Sequence, residues 1–409
     1  MKKKDSVIVD TPIEDGLKGF TDSLIKSLNS EHGGGEKIAY NLLKDDAPTK
    51  VHRWISTGSR QLDYIIANRP GGGLPEGRLI EIFGPPSIGK SHIAAQIAKS
   101  TQKMGGIVVL IDSESSTSVE NLQLLGVNIG KNLIYCDAVC TERVFEIAEG
   151  IILKTRALKK DVPVTIIWDS VAATSPKAEL EGDYDKDSIG LQARALSKGF
   201  RKITSIVGAN RITFLALNQT RTSIGQMYGD PQVPPGGKAI PFHASVRIKL
   251  GAGSHIENKA GEVIGINVNA KTIKNKVSPP FRKCDFQIHF GVGLKEHEEL
   301  FDFLRPFGPG RIELNGKEFD VEVEGTGAWK TFSVKDATGK LIHEKKFNKN
   351  AFDEVLDDEK FKPYLDKLIE LRMMRKMNDS ADIDVDAESL VEMQSIADGL
   401  DADMGDPES

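Results

Sequence analysis

Between residues 79 and 250 the chain alternates short apolar runs with helix-like segments, and this alternation restricts the fold more than any other feature. The apolar runs are rich in β-branched residues and read LIEIFG, GIVVLID, VTIIWDS, ITFLALNQ and SVRIKL. Nearly continuous apolar strands separated by crossover helices are typical of a parallel sheet that helices cover on both faces. The pattern therefore predicts an α/β domain, whose ligands bind at the carboxyl ends of the strands.

The first of these runs ends in a glycine-rich turn that leads directly into a helix-like segment. Residues 84–91 read GPPSIGKS and match G-x-x-x-x-G-K-[ST]; we call them the phosphate loop. In such a turn the main-chain amides surround phosphate oxygens, Lys90 reaches the β- and γ-phosphates, and Ser91 ligates Mg²⁺. An ordinary strand-to-helix turn is the alternative, but the specified glycines and lysine favour a phosphate site. Its residues are Gly84, Pro85, Pro86, Ser87, Ile88, Gly89, Lys90 and Ser91.

Acidic residues follow two later strands. Asp169 ends TIIWD, and Asp112 and Glu114 end VVLIDSE. Each carboxylate alone is as compatible with capping the next helix as with catalysis. Because three strand ends converge on one edge of the sheet, the set favours a nucleotide hydrolase, in which Asp169 supports the metal. Glu114 is a better candidate base than Asp112, which lies nearer the strand body.

Two polar loops stand at the same edge. The first loop, residues 181–190, precedes a helix in which Arg194, Lys198 and Arg201 repeat at helical spacing. Such a stripe is often only a solvated face, but its place behind a loop on the ligand side favours nucleic acid. The second loop, residues 220–238, shows no secondary-structure pattern and follows Asn218 and Gln219, two candidate sensors of a γ-phosphate. It contains Arg221, Ile224, Gly236 and Gly237, a mixture suited to phosphate contact and to insertion between bases.

The rest of the chain reads as three further segments. A short helix near the N-terminus carries Leu17, Phe20, Leu24 and Leu28 at helical spacing, and it packs either on its own domain or on a neighbouring copy. After the core the pattern changes to turn-rich strands and a charged helix, which predicts a small C-terminal α+β domain. The predicted segments are 1–50, helix and linker; 51–300, core; 301–377, C-terminal domain; and 378–409, an acidic and disordered tail.

Charge is distributed unevenly along the chain. The formal net charge is −5, yet the tail from Asn378 contains no Lys or Arg, so the rest of the chain is net positive and can attract phosphate. The tail either keeps the protein soluble or competes with a polyanion for the basic surface. No run of about 18 apolar residues occurs and no apolar stretch follows the basic N-terminus. We therefore predict a cytoplasmic protein without a membrane partner.

In these motifs the chain resembles the RecA-type recombinases. The resemblance runs in unbroken order from ISTGSRQLDYIIA through GPPSIGKS, IDSES, IIWDSVAATSPKAELEGD, GLQARALSKGFRKI, LNQTRTSIGQMYGDP and PPGGKAIPFHASVRI to TIKNKVSPPF, over about residues 51–295. It implies a RecA-like ATPase core that binds ATP and Mg²⁺ and forms a helical filament on single-stranded DNA. It further implies homologous pairing and strand exchange with double-stranded DNA, and ATP hydrolysis that DNA stimulates.

The resemblance also implies roles for individual residues. Lys90 and Ser91 would hold phosphate and Mg²⁺, Glu114 would orient the attacking water, and Gln219 would link the γ-phosphate to the second loop. Lys274 and Lys276 would reach the ATP of the adjacent protomer. The residues that the resemblance implies for DNA binding are Ile189, Arg194, Ser197, Arg201, Ile224, Gly236 and Gly237, with Ile189 and Ile224 as wedges between stacked bases, and they join Arg221 from the second loop.

Several positions depart from the family pattern. Ser118 and Asn121 stand where an aspartate and a tyrosine are expected near adenine, Pro241 replaces a lysine, and Ser223 replaces a basic residue. Such divergence would suit a phage-encoded or atypical member. Two alternative functions remain: a hexameric helicase with the same core, and a protein that coats single-stranded DNA and uses ATP only as a clamp. GGKAIPFHASV and IKNK favour the recombinase over the helicase, and Glu114 argues against the clamp.

Overall fold

The computed structural model describes most of the chain. It describes residues 12–35, 37–157, 161–182, 190–222, 232–295, 300, 301, 304, 310–325, 327–348, 351–356 and 358–378. The chain divides into two compact units, residues 1–51 and 52–409. Within its described part, no helix has both the length and the apolar character needed to cross a membrane.

The first unit is built around one long helix, α1 (Pro12–His32). The Asn29 side chain accepts hydrogen bonds from the amides of Ile38 and Ala39 at 2.8 and 2.9 Å, so it fixes the segment that returns along the helix. Phe20 and Leu24 remain 64% and 47% exposed. The predicted helix therefore forms, and its apolar face is open to solvent in this unit.

The second unit contains a nine-stranded sheet in the order β13-β12-β11-β10-β3-β7-β6-β4-β5. The five apolar runs form five of its strands, and β10, β3, β7, β6, β4 and β5 are mutually parallel, which confirms the mainly parallel α/β fold. The strands β11 to β13 continue it in antiparallel fashion. The bounds are β3 (Leu79–Gly84), β4 (Ile107–Asp112), β5 (Leu133–Asp137), β6 (Val164–Asp169), β7 (Ile212–Gln219), β10 (Val246–Glu257), β11 (Val263–Asn275), β12 (Lys283–His289) and β13 (Gly293–Lys295).

Helices cover both faces of this sheet. On one face Ile80 and Ile82 pack with Ile93 and Ile97 of α3, and on the other Leu79 belongs to a cluster built on α5 and α7. Because successive strand residues point to opposite faces, an uninterrupted apolar run serves both layers. The helices are α2 (Arg60–Ala67), α3 (Lys90–Lys103), α4 (Val119–Leu124), α5 (Thr141–Ala157), α6 (Lys177–Leu180), α7 (Leu191–Ala209) and α8 (Ala239–His243), with a 3-10 turn at Val171–Ala173. Two short pairs complete the core: β1 (Trp54–Ile55) with β2 (Leu74–Pro75), and β8 (Arg221–Thr222) with β9 (Gln232–Val233).

The C-terminal part contains a separate antiparallel sheet of four strands in sequential order. Its buried face packs on the last helix, and Phe332, Phe347 and Leu365 lie in their common core. Tyr64 of α2 joins this cluster, so the core contributes one residue to it. The elements are β14 (Gly310–Leu314), β15 (Lys317–Glu324), β16 (Trp329–Asp336), β17 (Leu341–Asn348), α9 (Asp353–Leu356) and α10 (Lys362–Asn378).

Candidate nucleotide site and nucleic-acid interface

The phosphate loop lies between the end of β3 and the start of α3, as the sequence predicts. A Cβ added at Gly84 would lie 2.5 Å from the main-chain oxygen of Leu250, and one at Gly89 would lie 2.1 Å from Cδ1 of Ile288. Gly89 also has φ +92°, which L-residues rarely adopt. The two glycines that define the motif are therefore required by the packing around them.

Lys90 is folded back onto its own loop. Its Nζ donates to the main-chain oxygens of Gly84 at 3.1 Å and Pro85 at 2.6 Å, and the residue is buried. Burial lowers the pKa of Lys90, while the carboxylates of Asp169 and Glu114 act in the opposite direction. The ammonium is thus held by carbonyl oxygens at the point where a phosphate oxygen would be a stronger partner.

Ser91 and Asp169 come together from α3 and β6. The Ser91 hydroxyl donates to Oδ2 of Asp169 at 2.8 Å. Burial, and then the nearby charges of Glu114 and Asp112, raise the pKa of Asp169 to about 6. Over the described residues, no group of three or more His, Cys, Asp or Glu side chains is arranged to hold a metal. One hydroxyl and one carboxylate fit Mg²⁺, which takes oxygen ligands and binds through few carboxylates together with substrate phosphates and water.

Glu114 joins three strand ends. Its Oε1 accepts hydrogen bonds from the Ser170 hydroxyl at 2.5 Å and from Nε2 of Gln219 at 2.9 Å, so it connects the residues that follow β4 and β6 with the end of β7. Glu114 itself is exposed at the sheet edge. The structure thus brings together Glu114 and Gln219 as predicted. Ser170 was not among the residues predicted from the sequence, although its position directly after Asp169 was a usable signal.

Asp112 has a different role from Glu114. Its buried carboxylate accepts hydrogen bonds from the amides of Glu114 and Thr117, both at 3.0 Å, and from the hydroxyl of Tyr135 at 3.3 Å. These contacts shape the loop that presents Glu114. Their geometry supports Glu114 over Asp112 as the candidate base.

Asn218, the second candidate sensor, faces the interior instead of the sheet edge. Its Nδ2 donates to Oε1 of Glu81 at 3.1 Å, and Glu81 forms a buried ion pair with Arg247 at 2.6 Å. Glu81 and Arg247 were not among the residues predicted from the sequence. An acidic residue in the middle of the apolar run LIEIFG was the available signal, because fully buried charges are almost always paired.

Lys274 and Lys276 lie at the opposite edge of the sheet. The Lys276 amide donates to the oxygen of Ser245, whose amide donates to the oxygen of Leu79, where β3 begins. The phosphate loop follows the other end of β3, which is roughly 17 Å away for a strand of this length. The Lys274 Nζ donates to the main-chain oxygens of Pro241 at 2.5 Å and Phe242 at 3.0 Å. The lysine pair therefore does not reach the phosphate loop of its own chain.

The predicted basic stripe lies on α7. Arg194, Lys198 and Arg201 are exposed and Ser197 is half-buried. The start of α7 is joined to the edge of the sheet that carries the phosphate loop, which we call the nucleotide edge. Nε2 of Gln192 donates to the main-chain oxygens of Val171, the first residue of the 3-10 turn, at 3.3 Å and of Thr174, directly after that turn, at 2.8 Å. Ile189, Ile224 and Ser223 lie outside the described residues.

The second loop returns against this same helix. A Cβ at Gly236 would lie 2.5 Å from Cδ1 of Leu196, and one at Gly237 would lie 3.2 Å from Cβ of Ala193. At the other end of the loop Arg221 is exposed and pairs with Val233 across β8 and β9. The return end of the loop and the basic stripe are thus adjacent, and Arg221 stands two residues after Gln219.

We expect Gly236→Ala to weaken binding to single-stranded DNA severalfold. Its φ of +98° and its contact with buried Leu196 leave no room for a methyl group without strain, which we estimate at about 1–3 kcal/mol. Thermal unfolding and fluorescence-anisotropy titration with an oligonucleotide measure the two effects. Gly150→Ala is the control, because no atom lies within 4 Å of its added Cβ and α5 is a regular helix. If Gly236→Ala binds the oligonucleotide as tightly as the wild type, the contact between Gly236 and Leu196 does not contribute to DNA binding.

Two of the unusual positions line a cavity beside the phosphate loop. The cavity measures about 80 Å³ and extends from Ser91 and Asp169 to Ser118 and Asn121. Ser118 caps α4, because its hydroxyl accepts a hydrogen bond from the Asn121 amide at 3.1 Å. The Ser118 side chain therefore has a structural role in α4, and both residues lie next to the phosphate loop.

Comparison with known proteins identifies the family of this chain. The model of the RecA N-terminal domain family matches residues 22–295. Protein RecA of Wolinella succinogenes is 36% identical over 325 residues, which are 79% of this chain and 85% of that protein. Protein RecA of Campylobacter jejuni subsp. jejuni (strain 81-176) is 37% identical over 341 residues, 83% of this chain and 90% of that protein. Protein RecA of Ruminococcus albus is 41% identical over 268 residues, 66% of this chain and 64% of that protein. The chain belongs to the RecA family.

Proposed function

We propose that the chain is an ATP-dependent recombinase. It forms filaments on single-stranded DNA, hydrolyses ATP when DNA is bound, pairs that DNA with homologous duplex and exchanges strands. The observation that carries this proposal is the joining of Glu114 to Gln219 at 2.9 Å, because it connects the candidate base to the strand that leads into the second loop. In a hydrolase that does not respond to DNA, a hydrogen bond between the candidate base and the strand before the second loop would serve no purpose in regulation.

The hydrolytic roles follow from the edge of the sheet. Lys90 would bind the β- and γ-phosphates, and Ser91 and Asp169 would hold Mg²⁺. That site would supply positive charge to offset the negative charge that develops on the transferred phosphoryl group. Glu114 would orient the attacking water and accept its proton. Its hydrogen bonds from Ser170 and Gln219 would fix the carboxylate in the orientation that this task needs.

Lys274 and Lys276 would act on the nucleotide of a neighbouring protomer. Their place at the far edge of the sheet supports this role, because cationic side chains there cannot serve the site of their own chain. In a head-to-tail assembly the far edge of one copy can meet the phosphate loop of the next. ATP would then hold subunits together, and two cations would stabilise transition-state charge in trans.

At ATP concentrations well below KM, the ATPase of the assembled protein should lose activity as the pH rises through about 8. Burial, with repulsion from Lys276 and Arg247, lowers the pKa of Lys274 to about 8, so the side chain is a cation below that pH and increasingly neutral above it. The kcat/KM value reports the enzyme before ATP binds, so it should fall near pH 8. Once ATP is bound, the phosphates of the neighbouring site favour the cationic form of Lys274, so kcat should fall only at higher pH. Rates measured from about pH 7 to 9 with Lys274→Arg as the comparison test this, since arginine stays charged throughout. An identical decline in both proteins would mean that another group titrates.

DNA would bind along the surface formed by α7 and the two loops. Arg194, Ser197 and Arg201 would contact the phosphate backbone with Arg221, and Gly236 and Gly237 would let the second loop approach closely. Ile189 and Ile224 would enter the base stack. Backbone contacts of this kind bind without reading sequence, which leaves homology to be read by base pairing between strands.

The flanking segments would serve assembly and DNA capture. The exposed face of Phe20, Leu24 and Leu28 suits a contact with a neighbouring protomer, so residues 1–50 would link subunits. Residues 301–377 would form a separate C-terminal domain around the four-stranded sheet, after the core of residues 51–300.

The test is an ATPase assay with and without single-stranded DNA, imaged in parallel by electron microscopy. A recombinase gives DNA-stimulated hydrolysis and open helical filaments, and it pairs homologous duplex. Closed rings with duplex unwinding would identify a helicase. Filaments without hydrolysis would identify a DNA-coating protein that uses ATP as a clamp.

A further inference from the structure

Asn218, the penultimate residue of β7, is completely buried and its amide is fully used. Its Nδ2 donates to Oε1 of Glu81 at 3.1 Å and to the main-chain oxygen of Pro235 at 3.2 Å. Its Oδ1 accepts a hydrogen bond from the Gln219 amide at 3.0 Å. One side chain thus connects the central strand β3 with the return end of the second loop, which we define as residues 235–237.

The group that holds Asn218 is itself fixed. Glu81 is fully buried in the middle of β3, and its other oxygen accepts from Nε of Arg247 at 2.6 Å. The Arg247 guanidinium also lies 4.9 Å from the centre of the Phe83 ring. A buried ion pair with hydrogen bonds on both carboxylate oxygens has little freedom to move, so Asn218 is anchored to the interior of the sheet.

The return end is held from its other side by α7. Gly236 packs against Leu196 and Gly237 against Ala193, on the helix that carries Arg194 and Ser197. Residues 235–237 therefore lie between a fixed amide and a helix.

The outgoing end of the loop, Arg221 and Thr222, pairs with Val233 and Gln232 just before the return end, but its attachment to the sheet is different. It follows Gln219, whose side chain donates to Glu114 at the exposed nucleotide edge. One end of the loop is therefore tied to a group that faces the nucleotide, and the other end to a buried group that does not.

We propose that Asn218 is a positioning residue that holds the return end of the second loop against α7, so that it sets affinity for single-stranded DNA while Gln219 transmits the state of the nucleotide. The inference rests on the proposed function. It divides the two ends of one loop between two tasks: the outgoing end responds to ATP, and the return end keeps the DNA surface assembled in every nucleotide state.

A pair of variants separates this positioning from a general need for Asn218 in the core. Asn218→Asp removes the donor to Pro235 but also places a second carboxylate beside Glu81. The double variant Asn218→Asp with Glu81→Gln restores a donor–acceptor pair between positions 81 and 218, because the new amide at 81 can donate to the new carboxylate at 218. The Pro235 oxygen still lacks its donor. The oxygen of the new amide at 81 can still accept from Nε of Arg247, and the carboxylate at 218 keeps one negative charge in the buried cluster. Core stability should therefore recover relative to Asn218→Asp, whereas the anchor should not.

The measurements are thermal unfolding and ATPase rate against the concentration of single-stranded DNA. We expect the double variant to need about tenfold more DNA for half-maximal rate, the loss typical of one buried hydrogen bond, with a much smaller change at saturating DNA. Gln219→Ala should show the reverse, a lower maximal rate at little-changed half-saturation. A double variant that half-saturates at the wild-type DNA concentration would overturn the inference. Wild-type protein without DNA-stimulated ATPase would instead overturn the proposed function.

Hydrogen exchange on the unmodified protein gives a second test that does not depend on any variant folding. On adding ATP, the amides of Arg221 and Thr222 should change their exchange rates several times more than those of Gly236 and Gly237. Equal changes at both ends of the loop would show that the return end is not anchored, and would contradict the role of Asn218.

Discussion

Glu114→Gln is expected to lower DNA-stimulated ATP hydrolysis by about a hundredfold or more, the usual contribution of a positioned general base. Glutamine can still accept the hydrogen bonds from Ser170 and Gln219, so the loop should keep its shape. What it loses is the negative charge that orients water and accepts a proton. Nucleotide binding should persist, because the phosphate loop is untouched. Steady-state ATPase and binding of a fluorescent ATP analogue measure the two effects.

Asp137→Asn is the matched control. Asp137 is the residue of β5 in register with Asp112 of β4 and is exposed, so the change removes a carboxylate from the same edge of the sheet. We expect near wild-type hydrolysis in this control. If Glu114→Gln hydrolyses ATP at the same rate as Asp137→Asn, Glu114 does not act as the base.

Lys274→Ala is expected to reduce hydrolysis by the assembled protein by about a hundredfold, within the range for removing one charge-stabilising group from a transition state. The same change should leave ATP affinity of dilute monomers unaltered, because the lysine is at the far edge of the sheet from its own phosphate loop. ATPase on DNA and equilibrium binding at low protein concentration give the comparison. A residue acting in cis would lower both.

Lys259→Ala controls for the loss of charge. Lys259 is exposed in the turn between β10 and β11, at the opposite end of the hairpin from Lys274. Lys259→Ala should have little effect on ATPase on DNA or on ATP binding by dilute monomers. If monomers of Lys274→Ala lose ATP affinity by the same factor as the assembled protein loses hydrolysis, the lysine does not act in trans.

The fold and the nucleotide edge were predictable because their signals are local. The apolar runs became strands of one sheet, and the residues at the ends of β3, β4, β6 and β7 converge because parallel strands end on the same side. Lys90, Ser91, Asp169, Glu114 and Gln219 therefore meet as expected. Their positions at the ends of parallel strands were enough to predict that these side chains lie close together.

The buried polar network was not predictable in the same way. Glu81, Arg247 and Asn218 are far apart in sequence, and their contact depends on which strands become neighbours in the order β10-β3-β7. A sequence shows that Glu81 interrupts an apolar run but not which cation or amide will meet it. Likewise, the placement of Lys274 at the far edge depends on the antiparallel return of β11, which the alternating pattern does not encode.

The most direct test of an ATP site completed by a neighbour is to mix the two inactive variants, Glu114→Gln and Lys274→Ala. In a head-to-tail filament of equal parts, about one quarter of the interfaces join an intact Glu114 to an intact Lys274, so ATPase should recover to roughly one quarter of the wild-type rate. Each variant alone should stay inactive. If both residues serve the same chain's nucleotide, no mixture can regenerate an intact site, and a mixed sample that remains as inactive as its parts would contradict the account.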